Sequence, residues 1–393
     1  MKIVFASFQG INKKNVPEGM TRLILPILEY FDDSSKYYVS YVAKDMKNIR
    51  SLGSIHVIFT KLIAKISNIL NINIGLNRFL RELIYDMFLF LKMKEPVILI
   101  STAYIPRTAK RNQKMGGINI FLAGSPYDRC INDILQKEKL LFNLQFTDPY
   151  TYKRRLNFID DFLSLQDHIV AQTQITYDSF LDWENVSLSE VDIVPSKALF
   201  ENSNVLKNKE FTFVYIAHTV WLKGLIYLIQ AWNSLDSVCT LKLLVGGSIH
   251  PVVKSEIEKY TNKNIEFIGP VHGEGLNQLF RKSHVCIVSS LIDDHPATVA
   301  EALYCGLPVI ATEGCGSKIL IKNSKNGFIV PVADASKIAE KIQWFVDNQD
   351  KFEDMSTNAI ESINTLENSD QNELLANHFL KVIDKLKIEK SIF

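Results

Sequence analysis

In the segment SSLIDDHPATVAEALYCGLPVIATE (289–313), two carboxylates, Asp293 and Glu301, stand eight residues apart across the start of an apolar run. The segment leaves a strand end, crosses a polar loop holding Asp293, Asp294 and His295, and enters a helix near Ala297 or Thr298. Pro296 suits a helix start, because its missing N–H is one the first turn does not use. The N–H groups of the first turn, around Ala297, Thr298 and Val299, and the positive end of the helix dipole make an anion site suited to a diphosphate. Glu301, about one turn further in, can accept hydrogen bonds from two ribose hydroxyls. The same residues also fit a solvated acidic loop before an ordinary helix, with Glu301 serving only the dipole. Cys305-Gly306-Leu307-Pro308 then ends the helix and opens the next strand.

The elements that would position this loop are read from the hydrophobic pattern. In the C-terminal half, short apolar runs at 211–218, 240–246, 265–271, 284–290, 308–313 and 327–332 predict strands. Helical patterns alternate with them at about 223–235, 252–261, 274–283, 298–305, 317–323 and 335–348, which predicts βαβ units and a parallel sheet. The runs are nearly continuous in Val, Ile, Leu and Phe, as strands buried on both faces are. The N-terminal half repeats the theme with strands at 2–7, 37–42, 55–60, 96–102, 118–122 and 168–172, and helices at 20–31, 62–70, 76–93 and 155–165.

The expected fold class is α/β, with two Rossmann-like doubly wound domains facing across a cleft. One covers residues 1–200 and the other 205–365, with the junction near 195–208. An amphipathic helix at about 370–388 is free in sequence terms to pack back on the first domain. Ligands in such sheets bind beyond the carboxyl ends of the strands.

With 393 residues, 47% of them hydrophobic and 22% charged, the composition is that of a soluble globular protein with room for two cores. Lys and Arg total 44 against 43 Asp and Glu, so nucleic-acid binding is not favoured. No run is long enough to span a bilayer. The opening MKIVFASF reads as a first strand rather than a signal peptide. Five cysteines (130, 239, 286, 305, 315) lack metal-ligand spacing, which predicts a reduced, cytoplasmic protein.

The run DDHPATVAEALYCGLPVIAT resembles the signature of glycosyltransferase family 4, a retaining GT-B family with an acidic–x7–Glu motif. The segment FVYIAHTVWLKG (213–224) resembles that family's first C-domain strand and the loop ending in Lys-Gly, here Lys223-Gly224. By that resemblance Lys223 binds the donor diphosphate, although a solvated helix-start lysine would look the same. His218 stands where an arginine is usual, a change from a permanent fork-shaped cation to a group titrating near neutrality. LLVGGS (243–248) and FIGPVHGEGLNQLF (267–280) resemble the strand–glycine turn and the base-binding segment, with Gly246 and Gly247 permitting close backbone approach and Gly269 and Val271 beside the nucleobase. The resemblance is good over about 205–350. In the N-terminal half Gly19 is the candidate for the loop glycine that closes over the diphosphate, a simple turn glycine being the alternative. FLAGSPYDR (121–129) lacks the histidine that many relatives place there, leaving Ser125, Tyr127 or Asp128 to face the cleft.

The resemblance implies a retaining, metal-independent transferase taking a nucleotide sugar such as a UDP- or GDP-sugar, with no further cofactor. Asp293, in place of the family's first glutamate, is expected near the donor sugar, and Lys223 and Glu301 complete the catalytic set. The acceptor class is a glycan or a lipid-linked sugar, as in bacterial surface-polysaccharide assembly. The basic, apolar stretch at about 61–94 fits peripheral contact with an anionic membrane surface, or equally a pair of core-packing helices with a solvated face. An inactive or regulatory nucleotide-sugar binder, and an epimerase or phosphorylase on the same scaffold, are the competing readings.

Overall fold

In the computed structural model the chain divides into two compact units, Met1–Ile193 with Asp370–Phe393, and Val194–Ser369. The described residues are 1–8, 20–31, 35–39, 49–70, 72–183, 186–191, 207–235, 241–260, 264–364 and 370–391.

The first unit runs β1 (Lys2–Ser7), α1 (Thr21–Ile27), β2 (Lys36–Val39), β3 (Ile49–Ser51), α2 (Ser54–Ile69), α3 (Ile74–Lys92), β4 (Val97–Ser101) and α4 (Pro106–Lys114). It continues with β5 (Ile118–Ala123), α5 (Asp128–Leu141), α6 (Lys153–Leu163), β6 (His168–Ala171), α7 (Gln174–Ser179) and β7 (Ser187–Glu190). The seven strands form a parallel sheet in the order β3-β2-β1-β4-β5-β6-β7. Helices cover both faces, so β4 and β5 are buried at every position. Successive side chains of β4 go to opposite cores: Val97 and Leu99 to one, Ile98 and Ile100 to the other.

The second unit runs β8 (Phe211–Ile216), α8 (Leu225–Asn233), β9 (Leu241–Gly246), α9 (Pro251–Ile257), β10 (Ile265–Gly269), α10 (Glu274–Lys282) and β11 (Val285–Val288). Then come α11 (Ala297–Tyr304), β12 (Val309–Thr312), β13 (Gly327–Val330), α12 (Ala335–Asp347) and α13 (Phe352–Asn364). Its six parallel strands are ordered β10-β9-β8-β11-β12-β13. The final helix, α14 (Gln371–Ser391), belongs to the first unit, where Leu375, Ala376, Phe379 and Ile383 join the core containing Phe5, Ile98 and Ile100. The α/β class with two doubly wound parallel sheets is therefore as the sequence pattern predicts.

The details depart from that pattern where charge or β-branching misleads. The expected strand at 55–60 is instead the start of α2. Its β-branched residues mimic a strand, but the segment meets α3 through His56, whose ring lies 6.0 Å from Tyr85 and 5.4 Å from Phe88. The basic helix α4 was not expected, because PRTAKRNQK lacks an apolar stripe. Its first turn is held by Asp86 of α3, which accepts from the N–H groups of Arg107 and Thr108 at 2.9 Å each. The expected helix at 223–235 is split by Gly224, and that at 317–323 is a short 3-10 turn, Gly316–Leu320.

One buried histidine ties stability to pH. His168 is 3% exposed, and its ring nitrogens meet the hydroxyls of Ser187 at 2.9 Å and Ser189 at 2.7 Å. Burial, with smaller contributions from His378 and Lys385, lowers its pKa to about 4. The unfolded chain therefore takes up a proton near pH 6.5 that the folded chain refuses until about 4. Stability from this group is at its full value above pH 6.5 and falls as pH drops toward 4, by on the order of 3 kcal/mol. Urea unfolding of the wild type should show this slope, and His168→Gln should flatten it; equal slopes would contradict the assignment.

Candidate functional site

β8 and β11 are neighbours at the centre of the second sheet, and the chain moves away from them in opposite directions. At such a switch point the loops leaving the two carboxyl ends diverge and leave a crevice. Both loops carry residues singled out from sequence. The loop after β8 holds His218, Lys223 and Gly224; the loop after β11 holds Asp293, Asp294, His295 and Pro296.

The two loops are joined through backbone. Leu291 N–H donates to Leu222 O at 2.8 Å, and the Ser289 hydroxyl donates to Gly224 O at 3.0 Å. Gly224 has φ +63°, and a Cβ there would lie 1.9 Å from Ser289 O, so only glycine permits this crossing. The Tyr215 hydroxyl donates to Lys223 O at 3.1 Å. Burial, partly offset by Thr219 and reinforced by the charge of Asp293, holds that phenol well above its ordinary pKa, so it stays a donor.

On this frame the Lys223 ammonium forms an ion pair with Asp293 Oδ2. Their side chains are 27% and 16% exposed, so the pair is neither solvated nor sealed. The Ser290 hydroxyl also donates to Asp293 Oδ2, at 3.4 Å. Asp293 is fixed from below: its N–H donates to Gly314 O and its carbonyl accepts from Gly316 N–H, both at 2.8 Å. Cys315 sits within that turn, and burial, with Asp293 adding, pushes its thiol well above the usual range. Cys315 is therefore a packing residue, not a nucleophile.

The start of α11 lies beside these groups. Pro296 occupies the cap position without a side-chain bond to the helix. Thr298 Oγ1 donates to Ile216 O at 3.3 Å, pinning the helix end to the end of β8. The Ser317 hydroxyl lies 2.6 Å from His295 Nδ1 and 3.2 Å from Pro296 O. Asp294 is 7% exposed, and Glu301, one turn into α11, is partly exposed. The Val299 side chain is fully buried in the core, so it serves packing, while its N–H donates to Pro296 O at 3.2 Å. Ala297 opens the helix.

The glycine segments gather at the neighbouring strand ends. Gly247 N–H donates to Gly269 O at 2.7 Å, and Gly247 has φ +107° with Ala217 O only 1.8 Å from an added Cβ. Gly246 faces the Ile216 side chain, whereas Gly269, at φ +71°, has open space around it. Val271 follows β10, half-buried near Gly275. The His218 ring is hydrogen-bonded to the Ser248 hydroxyl.

Sequence reasoning overlooked the serines Ser248, Ser289, Ser290 and Ser317, each holding a candidate residue or its loop. The Ser289-Ser290 pair at a strand end was the available signal.

In the first unit, Asp128 and Tyr127 are buried and engaged within the unit. Asp128 is 1% exposed and paired with Arg155, and the Tyr127 hydroxyl is bonded to Asp160 at 2.5 Å. Ser125 is half-buried. Gly19 lies outside the described residues. Among the described residues no group of three or more His, Cys, Asp or Glu side chains is placed to hold a metal ion, and no helix is long and apolar enough to cross a membrane.

Residues 196–362 match the family described as glycosyl transferases group 1. An uncharacterized glycosyltransferase of Methanocaldococcus jannaschii is 25% identical over 180 residues, covering 45% of this chain and 44% of that one. The capsular polysaccharide biosynthesis glycosyltransferase CapM of Staphylococcus aureus is 25% identical over 208 residues, covering 47% of this chain and 49% of CapM. The chain thus spans less than half the length of these two curated relatives. Among solved structures, Anabaena HepE in complex with UDP-glucose superposes with a TM-score of 0.58 at 13% identity, covering 98% of this chain and 100% of HepE. The second unit, with the lysine and the carboxylates at its switch point, is the part of the chain that matches the glycosyl transferases group 1 family, in a chain with the two parallel-sheet domains of the GT-B fold.

Proposed function

We propose that the protein is a retaining glycosyltransferase that moves a sugar from a nucleotide diphosphate donor to a glycan or lipid-linked acceptor. The observation that carries this is the Lys223–Asp293 pair at the switch point, beside the start of α11. Departure of a nucleoside diphosphate develops negative charge on the phosphate oxygens, and the remaining sugar gains oxocarbenium character. Lys223, the first-turn N–H groups of α11 and its dipole meet the first demand as fixed electrostatics, so the reading requires no metal. Asp293 meets the second, turning from Lys223 toward the sugar when the lysine engages phosphate. Glu301 takes the ribose hydroxyls, and the Gly246–Gly247 turn with Gly269 and Val271 receives the base. Asp294, His295 and Pro296 shape the loop, Ala297 and Thr298 contribute backbone donors, and Val299 anchors the helix start in the core, while Gly224 and His218 shape the opposite wall.

HepE binds UDP-glucose and CapM serves capsular polysaccharide synthesis, which supports a UDP-sugar donor and a role in bacterial surface-polysaccharide assembly. Such a role places the protein in the cytoplasm, at the inner face of the plasma membrane. Incubation with UDP-, GDP- and ADP-sugars tests the proposal. One donor should release nucleotide above background, faster with acceptor present; a pure binder would release none, and an epimerase would change the sugar without transferring it.

A further inference from the structure

The first sheet has a switch point of its own, which the donor site does not use. β1 and β4 are neighbours, and the chain leaves them in opposite directions, toward β2 and β3 on one side and toward β5, β6 and β7 on the other. In such a sheet a ligand fits beyond the carboxyl ends of the two strands. Phe8 is the first residue past β1, and Tyr104 lies three residues past β4. Both are half-buried. Arginines meet the rings at this end of the sheet. The Arg81 guanidinium of α3 lies 5.5 Å from the Phe8 ring centre, and that of Arg78, one turn earlier, lies 5.4 Å from the ring centre of half-buried Tyr150. Buried Arg155 lies 5.6 Å from the Tyr104 ring and 5.8 Å from the Tyr150 ring, which joins the two halves of the cluster.

The charge of this cluster does not balance. Glu82 accepts from Arg155 through both oxygens and from Arg78 Nε at 3.0 Å, and Asp128 pairs with Arg155. Arg81 is exposed and forms no ion pair among the described residues. Asp148, close by in sequence, accepts from the Tyr150 N–H at 2.9 Å, and its charge acts on Lys139. Three guanidinium groups thus stand against the two carboxylates of Glu82 and Asp128. Arg78 and Arg81 are also three residues apart on α3, a spacing at which like charges repel. An anion held between them would remove that repulsion. The planar fork of arginine matches a carboxylate or a phosphate, and the half-buried rings supply the apolar surface that small-molecule sites combine with a few polar groups.

We propose that this switch point binds an acidic sugar, one carrying a carboxylate or a phosphate, with the anionic group on Arg81 and Arg78 and the sugar ring against Phe8 and Tyr150. A neutral sugar would use the rings and leave the cations unsatisfied; a bare anion would use the cations alone. An acidic sugar uses both. Combined with the transferase proposal, on which this step rests, the acidic sugar is the acceptor. The binding itself is read without turnover, so the two proposals fail separately.

Calorimetric titration of the full chain with methyl glucuronide, glucose 6-phosphate, methyl glucoside and inorganic phosphate tests the site. At least one of the two acidic sugars should bind tenfold more tightly than methyl glucoside and than inorganic phosphate, and the tighter of the two tells carboxylate from phosphate. Arg81→Gln should weaken that binding at least tenfold with unchanged thermal melting, since this side chain is exposed and makes no ion pair among the described residues. Equal binding of methyl glucoside or of free phosphate, no binding of either acidic sugar, or unchanged affinity in Arg81→Gln would each overturn the proposal. Absence of turnover with every nucleotide sugar would instead refute the transferase reading, and a successful titration with an acidic sugar would still stand.

Discussion

Lys223→Ala and Glu301→Ala should each abolish sugar transfer while leaving the protein folded. Removing one preorganised charge from a site where a leaving group gains negative charge costs about 10²–10³ in turnover. Lys223 is the cation that the geometry places at the switch point, and its partner Asp293 remains held by Gly314 and Gly316 through backbone when the ammonium is gone. The loss should therefore appear in kcat more than in thermal stability. On the proposed role of Glu301 as acceptor for the ribose hydroxyls, Glu301→Ala should raise the donor KM as well. Donor hydrolysis and transfer, measured beside circular dichroism melts, separate the effects. Wild-type rates in both variants would refute the site.

The second large effect concerns stability. Arg155→Met should destabilise the first unit by about 3–5 kcal/mol, because it leaves buried Asp128 without its cation and buried Glu82 with only Arg78, at its edge. Arg155 is 0% exposed and bonds Glu82 in bidentate fashion, Nε to Oε2 at 2.9 Å and Nη2 to Oε1 at 3.0 Å. It also pairs with Asp128, whose other oxygen accepts from the Tyr104 hydroxyl at 2.6 Å. Burial alone would lower the arginine's pKa, but Asp128 and Glu82 hold it well above its usual value. Against a typical total of about 5–15 kcal/mol, such a loss is large. Urea titration should show it. Replacing Glu82 and Asp128 by leucine in the same chain should recover most of it, since an apolar trio leaves no charge stranded. A change below about 1 kcal/mol in Arg155→Met would show that the network is solvated in solution.

How much of this was legible beforehand differs between the halves. The second unit was readable because three of its six strands end in loops with their own signals: Lys223-Gly224 after β8, Gly246-Gly247 after β9, and Asp293 to Pro296 after β11. Periodicity gave the strands and the order of signals gave the candidate site. It could not show that Lys223 and Asp293 touch, since seventy residues separate them and only the sheet order brings them together. In the first unit the pattern was weaker. The segment SIHVIFT reads as a strand by β-branching, yet joins α2 because His56 packs on the rings of α3. Asp128 looked like a candidate for chemistry and is instead a buried counter-ion, a distinction that depends on Arg155, 27 residues away.

The return of α14 to the first unit has a consequence for biosynthesis. Phe5, Ile98 and Ile100 share their core with Leu375, Phe379 and Ile383, which leave the ribosome only after the whole second unit has been made. The unit that begins first is therefore completed last. Until then that core has α1, with Ile24 and Ile27, but lacks α14, while residues 194–369 already hold every strand of their own sheet. The order of synthesis and the order of closure are opposite, and the part of the β1–β4 face that α14 later covers is the surface that a nascent-chain chaperone would meet.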